Sequence, residues 1–437
     1  YIERKHPART ANILTLNTLS GKLCIKECGK IVGEFSEQQV NDVSGFIPKK
    51  FGKVAPLSVA IEESQRFGEW AKENPRVFKI AKQLEGLNKN TGVHPSGIAI
   101  SHHKISDICP IQKTNDGSYV TGYDMNWVTE LMDTFDFLGL RTLSVIYNVY
   151  SSIGIDVYDI DLDSETVYEP LSELKNPHGL FQIEADTNFR VCQKIKPTNI
   201  EQLSAVVAIA RPGALEFAGR YADYVSTGEF QSVHEFFNDV LDYTGGIPLY
   251  QEQLMKMAVK VGFTLDESEQ LRRIVGKKKV ELMPEWQEKI RNKVADQGLP
   301  PEVSDVLWSV AEDSANYSFN KSHSISYATL AAWTTYLKFK YPKEFFLSLL
   351  KMSQFEPNPQ DEIAKISREL QYFNINLLQP NLIKSKFDFT IDGNNIRFGL
   401  NSIKGISEKI NDPIAPEIVL FGLIFVNFFP PKTFPII

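Results

Sequence analysis

The stretch Phe135-Asp-Phe-Leu-Gly-Leu-Arg-Thr-Leu143 separates two kinds of sequence pattern. Its first residues alternate as a short strand does, which predicts that Phe135 and Phe137 share one face and that Asp136 lies on the other. From Leu140 onward, apolar residues repeat at helical spacing over most of the chain. The stretch therefore predicts a boundary between a small sheet and a long helical region.

The segments before this stretch predict the rest of the sheet and a set of helices. Residues 1–34 have the pattern of a helix-rich segment, and residues 35–90 have that of polar helices. Short strands are expected to begin at Ile98 and to cover residues 119–123, where helix-breaking glycines and prolines give way to β-branched and aromatic residues. One apolar stripe at helical spacing is typical of a core, and it consists of Phe67, Trp70, Ala71, Val77, Phe78, Ala81 and Leu84.

The clearest helical pattern of the second half covers residues 362–373. Its apolar stripe is Ile363, Ile366, Leu370 and Phe373. It follows Glu356-Pro-Asn-Pro, which has the composition of a linker. The patterns together predict an α+β fold that is mainly helical.

Composition excludes several classes of protein. The chain has 437 residues, of which 43% are hydrophobic and 23% charged, so it is neither collagen-like nor largely disordered. The formal charge of −7 excludes a uniformly basic nucleic-acid coat, although a local basic groove remains compatible with it. Among the four cysteines, Cys24 and Cys28 form a pair with no second pair at zinc spacing. This usage indicates a protein of the reducing cytoplasm.

A basic cluster is the first candidate site. Arg272 and Arg273 precede Gly276, which is followed by Lys277, Lys278 and Lys279. Guanidinium forks and lysine point charges suit phosphate oxygens, but no Walker loop is present. From the run alone, a solvated charged turn is the more ordinary interpretation.

A second candidate is the polar run Asn320-Lys-Ser-His323, which precedes an alanine-rich helical pattern. Ser322 is expected to cap that helix, and the helix N-terminus would favour an anion. His323 taken alone is more typical of a structural histidine than of a catalytic one.

Carboxylates supply the third candidate. Asp136, on a short strand between two phenylalanines, is placed to bind a divalent metal, but two-metal phosphoryl transfer needs two or three converging carboxylates. Asp159, Asp161 and Asp163 imitate a metal-binding pair, and their setting between Gly154 and a following acidic residue favours a solvated loop.

A series of motifs, in order along the chain, resembles the alpha subunit of bacterial DNA polymerase III, the C-family replicative polymerases. The resemblance covers about residues 1–410. Its motifs are Leu84-Glu-Gly-Leu-Asn-Lys-Asn, His94-Pro-Ser-Gly-Ile-Ala-Ile, the stretch 135–143, Gly179-Leu-Phe-Gln-Ile-Glu, Ala210-Arg-Pro-Gly-Ala-Leu, Leu249-Tyr-Gln-Glu-Gln, Leu271-Arg-Arg-Ile-Val-Gly-Lys-Lys-Lys, Phe319-Asn-Lys-Ser-His-Ser and Lys404-Gly-Ile.

The resemblance implies a partial palm of the polymerase-beta-like nucleotidyltransferase type, a helical thumb and large helical fingers. It assigns residues 1–34 to part of the palm, 35–104 to the thumb, 105–145 to the returning palm strands and 146–410 to the fingers. Residues 411–437 resemble nothing in the family and are expected to be a tail from a frame change or abrupt truncation.

The resemblance also implies roles for the candidate residues. Asp136 matches the third catalytic aspartate and would help to hold two Mg²⁺ ions. Arg272, Arg273, Lys277 and Lys278 would face the incoming dNTP or the template backbone. The residues expected near the nucleotide are Asn320, Lys321 and His323. Primer-template DNA and other replisome subunits would be the partners, the sliding clamp through family regions that this sequence lacks.

Departures from the family pattern leave an alternative open. The family's other two metal ligands lie in a Pro-Asp-x-Asp-x-Asp motif that this sequence lacks, and Thr134 stands where a lysine is usual. The chain begins at Tyr1 and has its first methionine at residue 125, so a fragment that is inactive alone is expected. The alternative is a catalytically incomplete DNA- or partner-binding remnant, or half of a split polymerase. The apolar run 418–429 is too short for a typical membrane span, so no membrane partner is expected.

Overall fold

A computed structural model describes residues 1–50, 53–114, 117–276, 282–381 and 383–403. Residue contacts divide the chain after Gly139 into two compact units. The change of pattern predicted at 135–143 therefore coincides with a division of the structure, slightly before residue 146, where the fingers are expected to begin. Lys277, Lys278 and the tail 411–437 lie outside the described residues.

The first unit combines a mixed sheet with short helices. Its helices α1 to α7 are Ile2–Lys5, Gly21–Val32, Glu37–Gly45, Leu57–Glu63, Gln65–Glu73, Pro75–Leu84 and Met125–Leu131. Its strands β1 to β7 are Thr10–Thr18, Lys49–Lys50, Lys53–Val54, Asn88–Ile100, Ile111–Lys113, Tyr119–Asp124 and Asp133–Asp136. The main sheet has the strand order β5-β6-β1-β4-β7, in which β1 is antiparallel to β4 and parallel to β6.

The central strand of this sheet corrects the prediction for residues 1–34. Only Ile2–Lys5 and Gly21–Val32 are helical, whereas Thr10–Thr18 is β1. Ala11 and Ile13 are buried at strand spacing, and Val128 of α7 belongs to the same apolar cluster. Alternation with period two and β-branched residues outweigh the helical spacing of the leucines that follow.

The strand β4 is longer than predicted and contains a bulge. It ends at Ile100, near where a strand was expected to begin, and it belongs to the sheet although it falls within the 35–104 range assigned to the thumb. Asn12 pairs with Ile98 and Leu14 pairs with Val93, so residues 94–97 lie opposite the single residue Ile13. Extra residues on one strand bend it and re-aim its side chains.

The predicted helices of residues 35–90 are confirmed as α3 to α6. Most of the predicted stripe is in the core. Phe67, Val77 and Ala81 are buried in a cluster shared with α2, Ala71 is also buried, and Leu84 is exposed at the end of α6. All four cysteines of the chain are buried and free. Burial raises the pKa of the Cys24 thiol to about 11 and that of Cys192 to about 12.

The second unit is helical apart from a small sheet. Its helices α8 to α19 are Arg141–Ile153, Asp186–Ile195, Ile200–Ile209, Ala218–Thr227, Asn238–Leu241, Gln251–Lys260, Leu265–Gly276, Met283–Asp296, Pro301–Tyr317, Lys321–Lys340, Pro342–Met352 and Pro359–Leu370. Strands β8 to β10 are Leu377–Leu378, Thr390–Asp392 and Asn395–Arg397, in the order β8-β10-β9. One core joins α8 to α11 with α17 to α19, and a second joins α12 to α16. No helix in the described ranges is both long and apolar enough to cross a membrane.

The helix predicted over 362–373 is confirmed as α19, which continues into a 3₁₀ turn that ends at Phe373. Ile363, Ile366 and Leu370 are buried. The linker predicted at Glu356-Pro-Asn-Pro is wrong, because this segment lies inside the second unit, where Glu356 forms an ion pair with Arg141. Its prolines begin a helix: Pro359 occupies the first turn of α19, where no N–H donor is required.

A fully buried lysine holds three segments of the second unit together. Lys338 of α17 donates from Nζ to the carbonyl oxygens of Asn176 and His178, both at 2.7 Å, and forms an ion pair with the buried Glu369 of α19. Burial lowers the pKa of Lys338, although the carboxylate opposes this effect. The pair therefore stabilises the fold only while both partners are present.

Replacement of Lys338 by methionine is expected to destabilise the second unit by about 3–5 kcal/mol, because Glu369 is left as a buried charge without a cation. The double variant Lys338→Met/Glu369→Leu should recover more than half of that loss. Urea unfolding measures both changes, and Lys340→Met, at an exposed position on the same helix, is the control. A double variant that is less stable than the single one would contradict this account.

Candidate functional site

Asp136 is the last residue of β7, the edge strand of the main sheet, and it pairs with Gly97 of β4. Its side chain is 58% exposed. The rings of Phe135 and Phe137 lie 6.3 Å apart and are both exposed. The carboxylate is thus presented at an open edge of the sheet, where an external ligand can reach it.

The bulge in β4 brings two polar residues to this carboxylate. Ser96 donates from Oγ to Oδ1 of Asp136 at 3.0 Å, and its carbonyl oxygen accepts the N–H of Phe137 at 2.9 Å. Nδ1 of His94 accepts the N–H of Gly97 at 2.7 Å. Only glycine fits at position 97 without displacement, since a Cβ there would lie 2.7 Å from that nitrogen. Both polar residues belong to the motif that begins at His94, to which sequence reasoning gave no role at the site.

His94 makes no hydrogen bond to Asp136 in this arrangement. Its Nδ1 lies 3.8 Å from Oδ1 of the carboxylate and accepts the N–H of Gly97 instead. Over the ranges that the structure describes, no lysine or arginine lies within ion-pair distance of Asp136. A carboxylate that is oriented by a hydroxyl and forms no ion pair with a lysine or arginine among the described residues is suited to a hard divalent cation.

The described residues do not complete a magnesium site. Within them, no group of three or more histidine, cysteine or acidic side chains is placed to hold a metal ion. Asp136 is a single carboxylate, whereas two bridged Mg²⁺ ions need several carboxylates. Asp159, Asp161 and Asp163 are exposed, and Asp161 accepts the backbone N–H of Asp163, which confirms the prediction of a solvated loop.

The arginine pair predicted from the basic cluster lies near the end of α14. Glu269 binds Arg272 through both oxygens, each at 2.6 Å, and accepts from Nε of Arg273 at 2.7 Å. Hydrogen bonds from Arg272 lower the pKa of Glu269 to about 2. Glu269 faces both guanidinium groups, and Glu252 also interacts electrostatically with Arg272.

A cavity of about 320 Å³ adjoins this pair. Arg272 and Arg273 line it together with Gln251, Ser314 and Ser318, among others. Guanidinium, amide and hydroxyl groups are donors that suit phosphate oxygens. The lining of the cavity therefore has the phosphate-binding chemistry predicted for the basic cluster.

The polar run at 320–323 begins α17, but its cap is a different residue from the one predicted. Asn320 is the N-cap, and its Oδ1 accepts the N–H of His323 at 2.8 Å. Ser322 lies inside the helix and donates from Oγ to Asn320 at 2.7 Å. The prediction of a Ser322 cap is wrong because asparagine is at least as good a cap and stands earlier.

The anion expected at this helix N-terminus is a side chain of the protein. Glu252 of α13 accepts from Nδ2 of Asn320 and from the backbone N–H of Lys321, both at 2.9 Å. Nζ of Lys321 is directed to Glu201 at 3.0 Å and lies 4.1 Å from the centre of the Tyr243 ring. Asn320 and Lys321 are thus held by internal partners, whereas His323 is exposed.

The segment 249–253 brings the two candidate regions together. Gln251 accepts from Nη1 of Arg272 at 3.3 Å, and its backbone N–H donates to the carbonyl of Phe319 at 2.9 Å. Glu252, the next residue, caps α17. This motif is one of those that carry the family resemblance, but its sequence does not indicate that it joins the arginine pair to the start of α17.

Comparison with known proteins extends over nearly the whole chain. Residues 1–139 match the family model described as the bacterial DNA polymerase III alpha NTPase domain, and residues 140–298 match the finger domain of the same subunit. The chain belongs to the bacterial DNA polymerase III alpha subunit family. The junction between the two matches coincides with the division of the structure after Gly139. A helix-hairpin-helix motif matches residues 374–417, which sequence reasoning had not singled out.

Curated relatives carry the same family name. DNA polymerase III subunit alpha of Thermus aquaticus is 34% identical over 95% of this chain, which corresponds to 35% of that relative. The Aquifex aeolicus and Bacillus subtilis subunits are 31% and 29% identical over 94% and 93% of the chain, or 38% and 37% of their own lengths. The chain thus spans about a third of the length of the curated relatives it matches.

Replacement of Glu252 by glutamine is expected to destabilise the second unit by about 1–3 kcal/mol, because one of two half-buried donors at the start of α17 then faces an amide N–H₂. Glu201→Gln, which removes the exposed partner of Lys321, should cost no more than about 1 kcal/mol. Urea midpoints of the two variants measure the difference. Equal losses would show that the cap on α17 has no special weight.

Proposed function

We propose that this chain contributes to template-directed DNA synthesis, in which a nucleotidyl group passes from a dNTP to the 3′-hydroxyl of a primer. The observation that carries the proposal is the Asp136 carboxylate, exposed at the end of an edge strand and oriented by Ser96. Polymerase chemistry of this kind requires such carboxylates to hold metal ions at the reacting phosphate. The family relationship supports replicative synthesis as the activity to which the residue belongs.

Asp136 would provide one carboxylate of a Mg²⁺ centre whose other ligands lie outside the described residues. Bound Mg²⁺ would supply charge stabilisation at the phosphate and acidify the primer hydroxyl. Ser96 restrains the rotation of the carboxylate by holding Oδ1. His94 holds the bulge through Gly97, so that Ser96 faces Asp136. In this proposal, the sheet of the first unit is the palm.

The cavity beside Arg272 and Arg273 would bind phosphate groups of the incoming dNTP or of the template. Glu269 keeps both guanidinium groups in place. Lys277 and Lys278 would extend the basic surface. Asn320, Lys321 and His323 would lie close to the nucleotide, the first two by fixing the start of α17 through Glu252 and Glu201.

The remaining assignments follow from the family. The thumb would cover residues 35–104 except β4, which belongs to the sheet. The fingers would begin at residue 140, where the finger-domain match begins, and would include residues 299–410. Primer-template DNA would be the main partner, supported by the helix-hairpin-helix match, and other replisome subunits would join it in the cytoplasm.

A binding role without catalysis is the second candidate. It is favoured by the observation that, among the described residues, Asp136 belongs to no group of three or more histidine, cysteine or acidic side chains that could hold a metal ion. In that case the chain would bind DNA or a partner only. If another chain instead supplies the missing carboxylates, this chain would be half of a split polymerase and would take part in catalysis. The assay that tests Asp136 also separates these possibilities.

Asp136→Asn is expected to reduce primer extension by more than tenfold in a polymerase assembled from this chain and the amino-terminal part of a relative. The loss should arise because an amide carries no charge to hold Mg²⁺. Asp133→Asn, an exposed aspartate of the same strand, is the matched control and should leave extension unchanged.

The unassembled 437-residue chain serves as the baseline of that assay. It should show no extension, since Asp136 alone cannot hold two Mg²⁺ ions. Robust, Mg²⁺-dependent extension by the chain alone would mean that the carboxylates have been misplaced. If no assembly extends a primer but the chain binds DNA, the binding role is the correct one.

Arg272→Gln and Arg273→Gln are each expected to reduce the salt slope of duplex DNA binding by about one, as for one lost phosphate contact. The unaltered chain should bind duplex DNA with salt-sensitive affinity on the order of micromolar. Arg291→Gln, at an exposed position of α15, should leave the slope unchanged. A salt slope that is insensitive to both changes would favour the solvated-turn interpretation.

A further inference from the structure

A cavity of about 550 Å³ lies between α11 and α16 and is called the α11–α16 cavity. From α16 it is lined by Val306, Ser309, Val310, Asp313 and Tyr317. The cavity beside the arginine pair is lined from the same helix by Ala311, Ser314, Ala315 and Ser318. The two cavities therefore lie on different faces of α16, and the volume of the α11–α16 cavity is in the range of ligand sites.

Arg220 of α11 is half-buried at this cavity, and the protein satisfies only part of its guanidinium. Its Nη2 donates to the carbonyl oxygens of Gln231 and of Gly246, the latter at 3.1 Å. Gly246 has a φ of 82°, and a Cβ there would lie 2.1 Å from the Gln231 carbonyl oxygen, so this anchorage requires glycine. Over the described part of the chain, Nη1 donates to no protein group and Nε is buried without a partner. A fixed guanidinium with a donor to spare favours an acceptor oxygen from a ligand.

Two exposed carboxylates line the same cavity. Glu216 stands four positions before Arg220, and Asp313 stands four positions before Tyr317. Neither carboxylate forms an ion pair with any residue that the structure describes. Burial raises the pKa of Tyr317 to about 12, so its hydroxyl stays protonated and neutral. Of the ionised side chains in the lining, two are acidic and one is basic, which favours a ligand that carries positive charge.

Apolar groups supply most of the remaining lining. The rings of Phe217 and Tyr317 are both half-buried, with centres 4.9 Å apart and planes at 68°. Val306 is half-buried beside them, and Val310 and Pro248 are buried. Ring faces next to carboxylates suit a guanidinium, because the planar cation lies over a ring while the carboxylates accept its N–H groups. The stem of an arginine side chain also packs on apolar surface.

We propose that the α11–α16 cavity binds a peptide segment of a partner protein through an arginine, whose guanidinium meets Glu216 and Asp313. A backbone carbonyl of the segment accepts from Nη1 of Arg220, and its apolar parts pack against Phe217 and Val306. Nucleic acid is not the occupant, since the two carboxylates repel phosphate groups. The proposal therefore goes beyond DNA synthesis and concerns a cavity to which the proposed function gives no role.

The test is binding of capped tripeptides to the 437-residue chain by isothermal titration calorimetry. The peptides have arginine at the centre and leucine or phenylalanine on both sides, and each has a matched peptide with citrulline in place of arginine. Citrulline keeps the shape and removes the charge, so its peptides should bind about 5- to 20-fold more weakly, as for two lost exposed ion pairs. Argininamide, which lacks the apolar neighbours, should bind more weakly than the arginine tripeptides.

Variants of the chain locate the binding. Glu216→Gln and Asp313→Asn should each weaken binding of the arginine peptides by about two- to fivefold and leave the citrulline peptides unaffected. Glu312→Gln, at the exposed position beside Asp313 but outside the lining, is the matched control. Arg220→Lys should weaken binding of both kinds of peptide alike, because both present the same carbonyl groups. Urea midpoints show that each variant is folded.

Equal binding of the arginine and citrulline peptides, or binding that neither carboxylate variant changes, would overturn the proposal. The absence of binding by every peptide at about 1 mM would do the same. If argininamide binds as tightly as the tripeptides, the cavity is a site for a small cation and the proposal is wrong. These results leave the proposed function untouched, since DNA binding and primer extension by the same chain test it separately.

Discussion

The second unit depends on the satisfaction of polar groups along one long helix. The first N–H groups of α17 find Asn320 and Glu252, and Lys338, near its end, finds two carbonyls and Glu369. Leaving any of these groups unpaired inside the unit would cost more than most apolar contacts contribute. These polar contacts fix α13, α17 and α19 against one another. Asn320 and Lys321 belong to this framework, and Arg272 contacts it through Gln251 of α13.

The first unit reaches a comparable result by a different device. The bulge at 94–97 lets β4 continue past three extra residues and directs Ser96 toward Asp136. A regular strand would have placed alternate side chains on opposite faces and left the carboxylate without this contact. The site therefore depends on an irregularity of the sheet, whereas the sites of the second unit depend on regular helices and their ends.

Parts of this arrangement could be predicted from local pattern and parts could not. The helices of 35–90 and α19 carry apolar stripes at helical spacing, and most residues of these stripes are in the core. The prediction for Thr10–Thr18 was wrong because this segment becomes a strand by pairing with β4 and β6, which are distant in the sequence. The Asn320 cap was within reach of local rules, since asparagine directly precedes the helix.

Contacts between distant segments explain the remaining differences. Glu252 lies 69 positions from the N–H it accepts, and Ser96 lies 40 positions from Asp136, so no spacing rule indicates either pair. Both belong to motifs that the family resemblance had already marked. The resemblance thus indicated where chemistry is concentrated, and only the fold showed which atoms meet there.

The burial of all four cysteines has a practical consequence. A thiol reacts as its thiolate, and a pKa near 11 or 12, as for Cys24 and Cys192, leaves almost none of that form at neutral pH. Maleimide reagents should therefore pass over these two thiols, and burial shields Cys28 and Cys109 from such reagents. A single cysteine introduced at an exposed position could carry a fluorophore without prior removal of the natural ones, which gives this chain a ready background for optical studies.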